Sequence, residues 1–231
     1  MTRGPLFAGL LALAALPGAA RAASPVVLEL FTAQGCASCG EADARVAKLA
    51  DDKGVIVLTW SVDYWDYLGW KDTFAKPEFA DRQRAYAAKL GVAEVYTPQV
   101  VIDGREQTPG IKGDDLERLV RDARHEPFNP PQMRFRGRKI AVGSGRRPPG
   151  GADIWLVRYD PREQDIVVKD GDNRGHTVAE RNVVVELQRL GPWRGRPVLD
   201  AIPAPSAAGL KTVVLVQSAQ GGRILAVDEA P

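Results

Sequence analysis

The sequence predicts an α/β domain with a mixed sheet flanked by helices, followed by a small, mostly antiparallel β domain. Near-continuous apolar runs at residues 26–31 and 55–60 are typical of strands that are buried on both faces of a sheet. A helical pattern lies between the two runs, which predicts a β-α-β unit. After residue 126 apolar and polar residues alternate, as they do in antiparallel strands with one buried face.

The composition is that of a globular protein. Of the 231 residues 45% are hydrophobic, and 31 Lys and Arg stand against 29 Asp and Glu, for a formal net charge of +2. This balance gives no large basic field, and the arginines between residues 134 and 147 are typical of a solvated strand face. We therefore expect no nucleic-acid partner.

The first 22 residues predict a secretory signal peptide. They hold a positive residue, Arg3, an apolar run over 6–16 and a small-residue cleavage site at 20–22. The run is shorter than the ~20 residues of a membrane-spanning helix. We expect an exported protein, periplasmic or secreted, with no stable membrane span after processing; an uncleaved anchor is the alternative.

The α/β domain is predicted over residues 23–126. Its first helix has acidic residues in the first turn and ends near Gly54, and its second begins at Pro77 and ends at Gly91. A strand, a hairpin turn and a returning strand follow over 99–108, before a closing helix.

The β domain is predicted over residues 127–231, beyond a proline-rich boundary. Its alternating segments fit a small antiparallel sandwich or sheet. These segments are 133–136, 154–159, 183–188 and 213–216.

Cys36 and Cys39 are the two cysteines of the chain and lie where the first strand meets the first helix. Unpaired N–H groups and the helix dipole at this position favour a thiolate at Cys36, whereas Cys39 should be more enclosed. Cys36 is therefore the predicted attacking thiol and Cys39 the resolving thiol, with exchange through a mixed disulfide at Cys36.

Three other interpretations of the Cys-x-x-Cys pair stay open: half of a zinc site, an inert structural disulfide, and capture of a soft metal. A zinc site would need further ligands, for which the chain offers His125, His176 and carboxylates without the spacing of a second ligand pair. We therefore predict no metal site and no cofactor.

The stretch Phe-Thr-Ala-Gln-Gly-Cys-Ala-Ser-Cys at 31–39, the order of elements and the Thr-Pro pair at 97–98 resemble the thioredoxin superfamily over residues 26–126. More narrowly, the mature chain resembles an uncharacterised bacterial family of exported thioredoxin-like proteins with a C-terminal β extension. The segments that carry this narrower resemblance are 29–32, 62–66, 68–72 and 96–99. The resemblance implies a dithiol–disulfide site at Cys36 and Cys39, with a proline opposite.

Pro98 is the proline that this resemblance points to, because it lies immediately before a strand. We predict a cis bond between Thr97 and Pro98, which would turn a backbone edge toward Cys36 where a substrate strand can add by main-chain hydrogen bonds. An ordinary trans proline at the entry of a strand is the alternative.

Glu29 is a carboxylate in a strand that should be buried on both faces, which requires a specific reason. The resemblance implies a buried acid that exchanges a proton with the resolving thiol. Glu29 lies seven residues before Cys36, one more than the usual six in that family, so its side chain can also point elsewhere. A proton relay predicts that Glu29→Gln slows exchange at Cys39 with little loss of fold; a structural acid is the alternative.

The segment 63–70 holds four aromatic residues in a predicted loop. Tyr64, Trp65 and Trp70, together with Thr97, are candidates to line a substrate groove beside the dithiol. The alternative is a lid that packs on its own domain or on the β domain.

These features predict an exported thiol–disulfide oxidoreductase that exchanges electrons with the cysteines of another protein or with a small thiol, and that needs a redox partner protein. The rival hypothesis is a non-catalytic binding module of the cell envelope, in which the cysteines form a structural disulfide.

Overall fold

A computed structural model describes residues 24–126 and 129–231. The predicted signal peptide, residues 1–22, lies outside the described residues. The fold is mixed α/β, with one large mixed sheet and two small antiparallel sheets. Within the described ranges, none of the helices is both long enough and apolar enough to cross a membrane.

The first half of the described chain contains all of its α-helices. In chain order its elements are β1 (Val26–Thr32), α1 (Cys39–Leu49), β2 (Val55–Ser61), a single 3-10 turn (Asp66–Leu68), α2 (Pro77–Leu90), β3 (Gln99–Ile102), β4 (Glu106–Thr108) and α3 (Gly113–His125). Strands β1 and β2 are buried along their whole length and pair in parallel, as their apolar sequences predict. Pro77 begins α2, where its missing N–H costs nothing, and Gly91 ends α2 with a φ of 69°.

The second half of the described chain consists of strands. They are β5 (Met133–Phe135), β6 (Lys139–Val142), β7 (Ala152–Asp160), β8 (Gln164–Val167), β9 (Thr177–Glu180), β10 (Val183–Trp193), β11 (Val198–Ala201), β12 (Lys211–Ser218) and β13 (Ile224–Glu229). Strands β5, β6 and β11 form one small antiparallel sheet, and β8 and β9 form another.

The large sheet runs through both halves of the chain, in the order β13-β12-β7-β10-β2-β1-β3-β4. The junction is between β10 and β2, where Val183 pairs in parallel with Thr59. Asn182 stabilises this junction with two hydrogen bonds. Its carbonyl accepts the Thr59 N–H at 3.0 Å, and its side-chain amide donates to the Val57 carbonyl at 3.0 Å. The main C-terminal strands, which we expected to form a separate small sandwich, thus extend the sheet of the first half. The alternation of apolar and polar residues does not specify this pairing.

The hydrophobic core also spans the two halves. On one face of the sheet Phe31, Trp60 and Tyr86 share a cluster with Val157 and Leu215 from the C-terminal strands. On the other face α1 and α3 pack against β1, β2 and β3. Burial of aromatic side chains at the seam contributes on the order of 2 kcal/mol per residue, so the halves stabilise each other.

Candidate active site

A disulfide joins Cys36 to Cys39 at the beginning of α1, with 5.4 Å between the Cα atoms. The connection from β1 is tight, because Cys36 N donates to Ala33 O at 3.0 Å and Cys39 N donates to Cys36 O at 3.1 Å. Cys39 is the first residue of α1 and Ser38 is its N-cap. The pair therefore lies at the carboxyl end of a parallel strand and at the positive end of a helix, as the sequence predicts.

Both cysteines are buried, with 2% of Cys36 and 1% of Cys39 exposed. Ala37 and Ser38 between them are exposed, and the Ser38 hydroxyl lies 3.6 Å from Cys36 Sγ. Burial therefore does not separate the predicted attacking thiol of Cys36 from the predicted resolving thiol of Cys39.

The Thr97–Pro98 bond is cis, as predicted. Strand β3 pairs antiparallel with β1, and the pair Phe31 and Gln99 is the last of that register, which brings Pro98 alongside Thr32. Pro98 thus lies at the same end of the sheet at which the disulfide loop leaves β1. The hydroxyl of Thr97 accepts a hydrogen bond from Trp65 Nε1 at 2.7 Å.

The aromatic loop packs on its own domain. Trp70 Nε1 donates to Gln34 Oε1 at 2.9 Å, and the Tyr64 hydroxyl donates to Gln83 Oε1 at 3.1 Å. Burial raises the pKa of Tyr64 to about 12. The Trp65 indole also bonds within the domain, so all three aromatic groove candidates have internal hydrogen-bond partners, which favours the lid interpretation.

Glu29 is fully buried and ion-paired. Arg82 of α2 donates to both carboxylate oxygens, from Nε at 2.7 Å and from Nη2 at 3.0 Å, and the Tyr86 hydroxyl also contacts Glu29. The guanidinium of Arg82 lies 5.1 Å from the Trp60 ring centroid. Leu28 and Leu30 pack with α1 on the opposite face of the sheet, so alternation directs Glu29 toward α2. This geometry favours the structural alternative for Glu29.

Asp43 is the buried acid that shares a helix face with Cys39, because the two residues are four positions apart on α1. Only 4% of Asp43 is exposed, and neither carboxylate oxygen has a hydrogen-bond partner. Burial raises the pKa of Asp43 to about 7; the nearby Thr32 hydroxyl offsets part of the effect and the charge of Asp72 adds to it.

Two further buried acids lie beside Asp43. Glu180, at the end of β9, accepts a bond from Ser61 Oγ at 3.1 Å, while its Oε1 has no partner. Burial raises the pKa of Glu180 well above its ordinary value, and the charges of Asp72 and Asp43 add to this. Asp72 accepts the Gln34 N–H at 2.8 Å, and burial raises its pKa despite this bond and others. The three carboxylates form an acid cluster at the carboxyl ends of β1 and β2.

The acid cluster is not arranged as a metal site. In residues 24–126 and 129–231 no group of three or more His, Cys, Asp or Glu side chains has a geometry that could hold a metal ion. Burial raises the pKa values of all three carboxyl groups above their ordinary values, and that of Asp43 to about 7.

Residues 27–217 match the family described as protein of unknown function (DUF1223). The match covers most of the chain, from β1 into β12. This chain belongs to the DUF1223 family. The curated proteins contain no match to it.

Two solved structures share the fold of this DUF1223 protein. One is a crystal structure of an Agrobacterium tumefaciens protein, with a TM-score of 0.72 and 34% sequence identity over 91% of this chain and 95% of that chain. The other is HBP35 of Porphyromonas gingivalis, with a TM-score of 0.57 and 12% identity over 90% of this chain and 74% of that chain. The second likeness concerns the fold alone.

The C-terminal half of the DUF1223 chain adds residues to the site that the sequence did not reveal. Asn173 donates from Nδ2 to the carbonyls of Gln34 at 2.8 Å and Cys36 at 3.0 Å, and Glu180 completes the acid cluster. Asp43 could have been identified from the sequence, since it lies one helical turn after Cys39 on the buried face of α1. No pattern in the sequence pointed to Asn173 or Glu180.

Proposed function

We propose that this DUF1223 protein is an exported thiol–disulfide oxidoreductase of thioredoxin-like fold that acts through Cys36 and Cys39. One observation carries the proposal: the disulfide closes at the N-terminus of α1, beside the strand end that holds Pro98. A helix N-terminus stabilises the thiolate that exchange requires. The order β-α-β-α-β-β-α of the first half supports the thioredoxin-like assignment.

The reaction transfers two electrons between sulfur pairs. A thiolate of the partner attacks Cys36 Sγ and forms a mixed disulfide, while the Cys36–Cys39 bond breaks and its electron pair leaves on Cys39. A second partner thiolate then attacks the partner sulfur of the mixed disulfide and releases Cys36 as a thiolate. The partner leaves oxidised and the protein reduced; the reverse sequence reduces a partner disulfide.

Asp43 is the group that we assign to the proton transfer. Cys39 leaves as a thiolate in a buried environment, where an unneutralised charge is costly. Asp43 lies on the same helix face, and a pKa of about 7 leaves it partly protonated near neutral pH, so it can donate a proton to Cys39 Sγ and take it back on reoxidation. In this proposal Glu29 is not the proton donor, because both of its carboxylate oxygens are already held by Arg82.

Turnover with a model disulfide tests the proposal. The purified mature chain should accelerate the reduction of insulin by dithiothreitol over many turnovers. Cys36→Ser should abolish this activity, whereas Cys39→Ser should accumulate a mixed disulfide at Cys36. Ser38→Ala is the matched control, because it alters the same loop without removing a sulfur. A wild-type rate equal to that of Cys36→Ser would refute catalysis.

A binding module with a structural disulfide is the second candidate, and the burial of both cysteines favours it. A structural disulfide resists reduction, with a potential below about −300 mV. Equilibration of the Cys36–Cys39 pair with glutathione buffers measures this potential. A value below that limit together with absent turnover would select the binding module.

A further inference from the structure

The three-stranded sheet β11-β6-β5 has one face in the core and one face toward solvent. Ile140 and Val142 of β6 point inward and are buried in the C-terminal core. The side chains that alternate with them, and those paired with these across β5 and β11, lie on the other side of the sheet. We call this side the outward face, and it consists of Arg134, Lys139, Ala141, Leu199 and Ala201.

Exposed cations lie on and around the outward face at both of its ends. Four belong to β5, to β6 and to the turn between them: Arg134, Arg136, Arg138 and Lys139. Four others belong to the loops that follow β6 and precede β11, at the opposite end: Arg146, Arg147, Arg194 and Arg196. These two loops touch, because Gly145 N donates to Gly195 O at 3.2 Å. The sequence from 127 to 152 contains no acidic residue that could offset the charge.

The cations of both groups lack ion-pair partners within the ranges 24–126 and 129–231. Exposed arginines elsewhere do have them: Arg84 pairs with Asp81 and Arg162 with Asp160. Of the acids near the outward face, Asp200 is paired with Ile140 in register and so lies on the inner side of the sheet. Burial raises the pKa of Asp228 on β13, and the charge of Arg134 offsets part of this effect. The outward face therefore keeps a positive potential.

The extent of this charge favours a broad anionic surface over a single small anion. A strand of four residues is about 13 Å long, so the two groups of cations at its ends are too far apart for one phosphate to contact both. Between them Leu199 is 55% exposed in the same cross-strand row as Ala141 and Arg134. An acidic polymer in solution would leave this leucine in water, whereas the boundary between lipid headgroups and acyl chains would bury it.

We propose that the outward face docks the mature chain on an anionic lipid bilayer, with both groups of cations at the headgroups and Leu199 in the boundary with the acyl chains. This inference is independent of the proposed function, because no residue of the disulfide site takes part. Each cation near an anionic membrane strengthens partitioning about fivefold at low salt. Salt screens this attraction but not the burial of the leucine.

Co-sedimentation of the purified mature chain with lipid vesicles tests the proposal. Vesicles of phosphatidylglycerol with phosphatidylcholine are compared with vesicles of phosphatidylcholine alone, each over a range of salt concentrations. One variant replaces four cations with Gln: Arg146, Arg147, Arg194 and Arg196. A second variant is Leu199→Ser. The control variant removes the same charge from exposed positions in the first half by replacing four other cations with Gln: Lys53, Lys112, Arg118 and Arg121.

The wild type should bind the anionic vesicles, less tightly as salt rises, and should not bind phosphatidylcholine alone. The first variant should bind more than about tenfold more weakly and with a shallower salt dependence. Leu199→Ser should bind several-fold more weakly with the salt dependence of the wild type, and the control variant should bind within about twofold of the wild type. All replaced side chains are exposed, so the thermal midpoints should stay close to that of the wild type.

Four results would overturn the proposal. They are equal binding to both kinds of vesicle, an equal loss of binding in the control variant, unchanged binding by the first variant, and unchanged binding by Leu199→Ser. Absence of vesicle binding together with binding to polyglutamate would also overturn it, and would assign the outward face to an acidic polymer instead.

Discussion

Replacing Glu29 by Gln should reduce stability rather than the rate of disulfide exchange. Glu29 is fully buried and receives two charge-assisted hydrogen bonds from Arg82 at 2.7 and 3.0 Å. Burial acts to lower the pKa of Arg82, but in the wild type the charge of Glu29 outweighs it and raises that pKa above its ordinary value. Glu29→Gln removes this compensation and leaves the Arg82 guanidinium buried without a counter-charge. Removing one partner of a buried ion pair typically costs about 3–5 kcal/mol, because the other charge stays buried without compensation.

Urea unfolding of four proteins measures this cost: the wild type, Glu29→Gln, Arg82→Met and the double variant. Each single variant should lose about 3–5 kcal/mol, and the double variant should lose less than the sum because neither charge remains. Exchange at Cys39, measured in buffer where each variant is folded, should stay within about twofold. A Glu29→Gln protein with wild-type stability and slow exchange would refute this reasoning and return Glu29 to the proton relay.

Three other substitutions test the acid cluster, the seam and the aromatic loop. Burial raises the pKa of Asp43 from 3.8 to about 7, so ionisation of this carboxyl group lowers the free energy of unfolding progressively as pH rises between these values. In urea unfolding, Asp43→Asn should therefore match the stability of the wild type near pH 4 and exceed it by up to about 4 kcal/mol at pH 8. A difference independent of pH would contradict this. Gly221→Ala should lower the thermal midpoint far more than Gly209→Ala, since both have positive φ but a Cβ at 221 would lie 2.5 Å from the backbone carbon of Ala85. Trp70→Phe should cost about 1 kcal/mol and leave exchange unchanged; weaker binding of a peptide disulfide at unchanged stability would place Trp70 in a substrate groove.

The first half of the chain could be predicted from sequence because its signals are local. Pro77 and Gly91 bound α2 for steric reasons that act within one turn, and the apolar runs of β1 and β2 identify strands covered on both faces. The Cys-x-x-Cys pair is equally local: two sulfurs separated by two residues at a helix start can bond without help from the rest of the fold.

The rest depends on contacts that the sequence does not encode locally. Alternation identifies β10 as a strand, but nothing in it specifies pairing with β2 through Val183 and Thr59. Glu29 illustrates a subtler limit, because a shift of one residue along β1 changes the face that a side chain occupies. Asn173 lies in a polar turn that resembles any surface turn until the fold brings it to the Cys36 carbonyl.

The large sheet continues from β2 into the C-terminal strands, and this continuation affects both the buried acids of the site and the exposure of its disulfide. The same packing carries Glu180 to Ser61, beside Asp43, and carries Asn173 to the disulfide loop. The packing that raises the pKa of Asp43 to about 7 by burial therefore also leaves only 2% of Cys36 exposed.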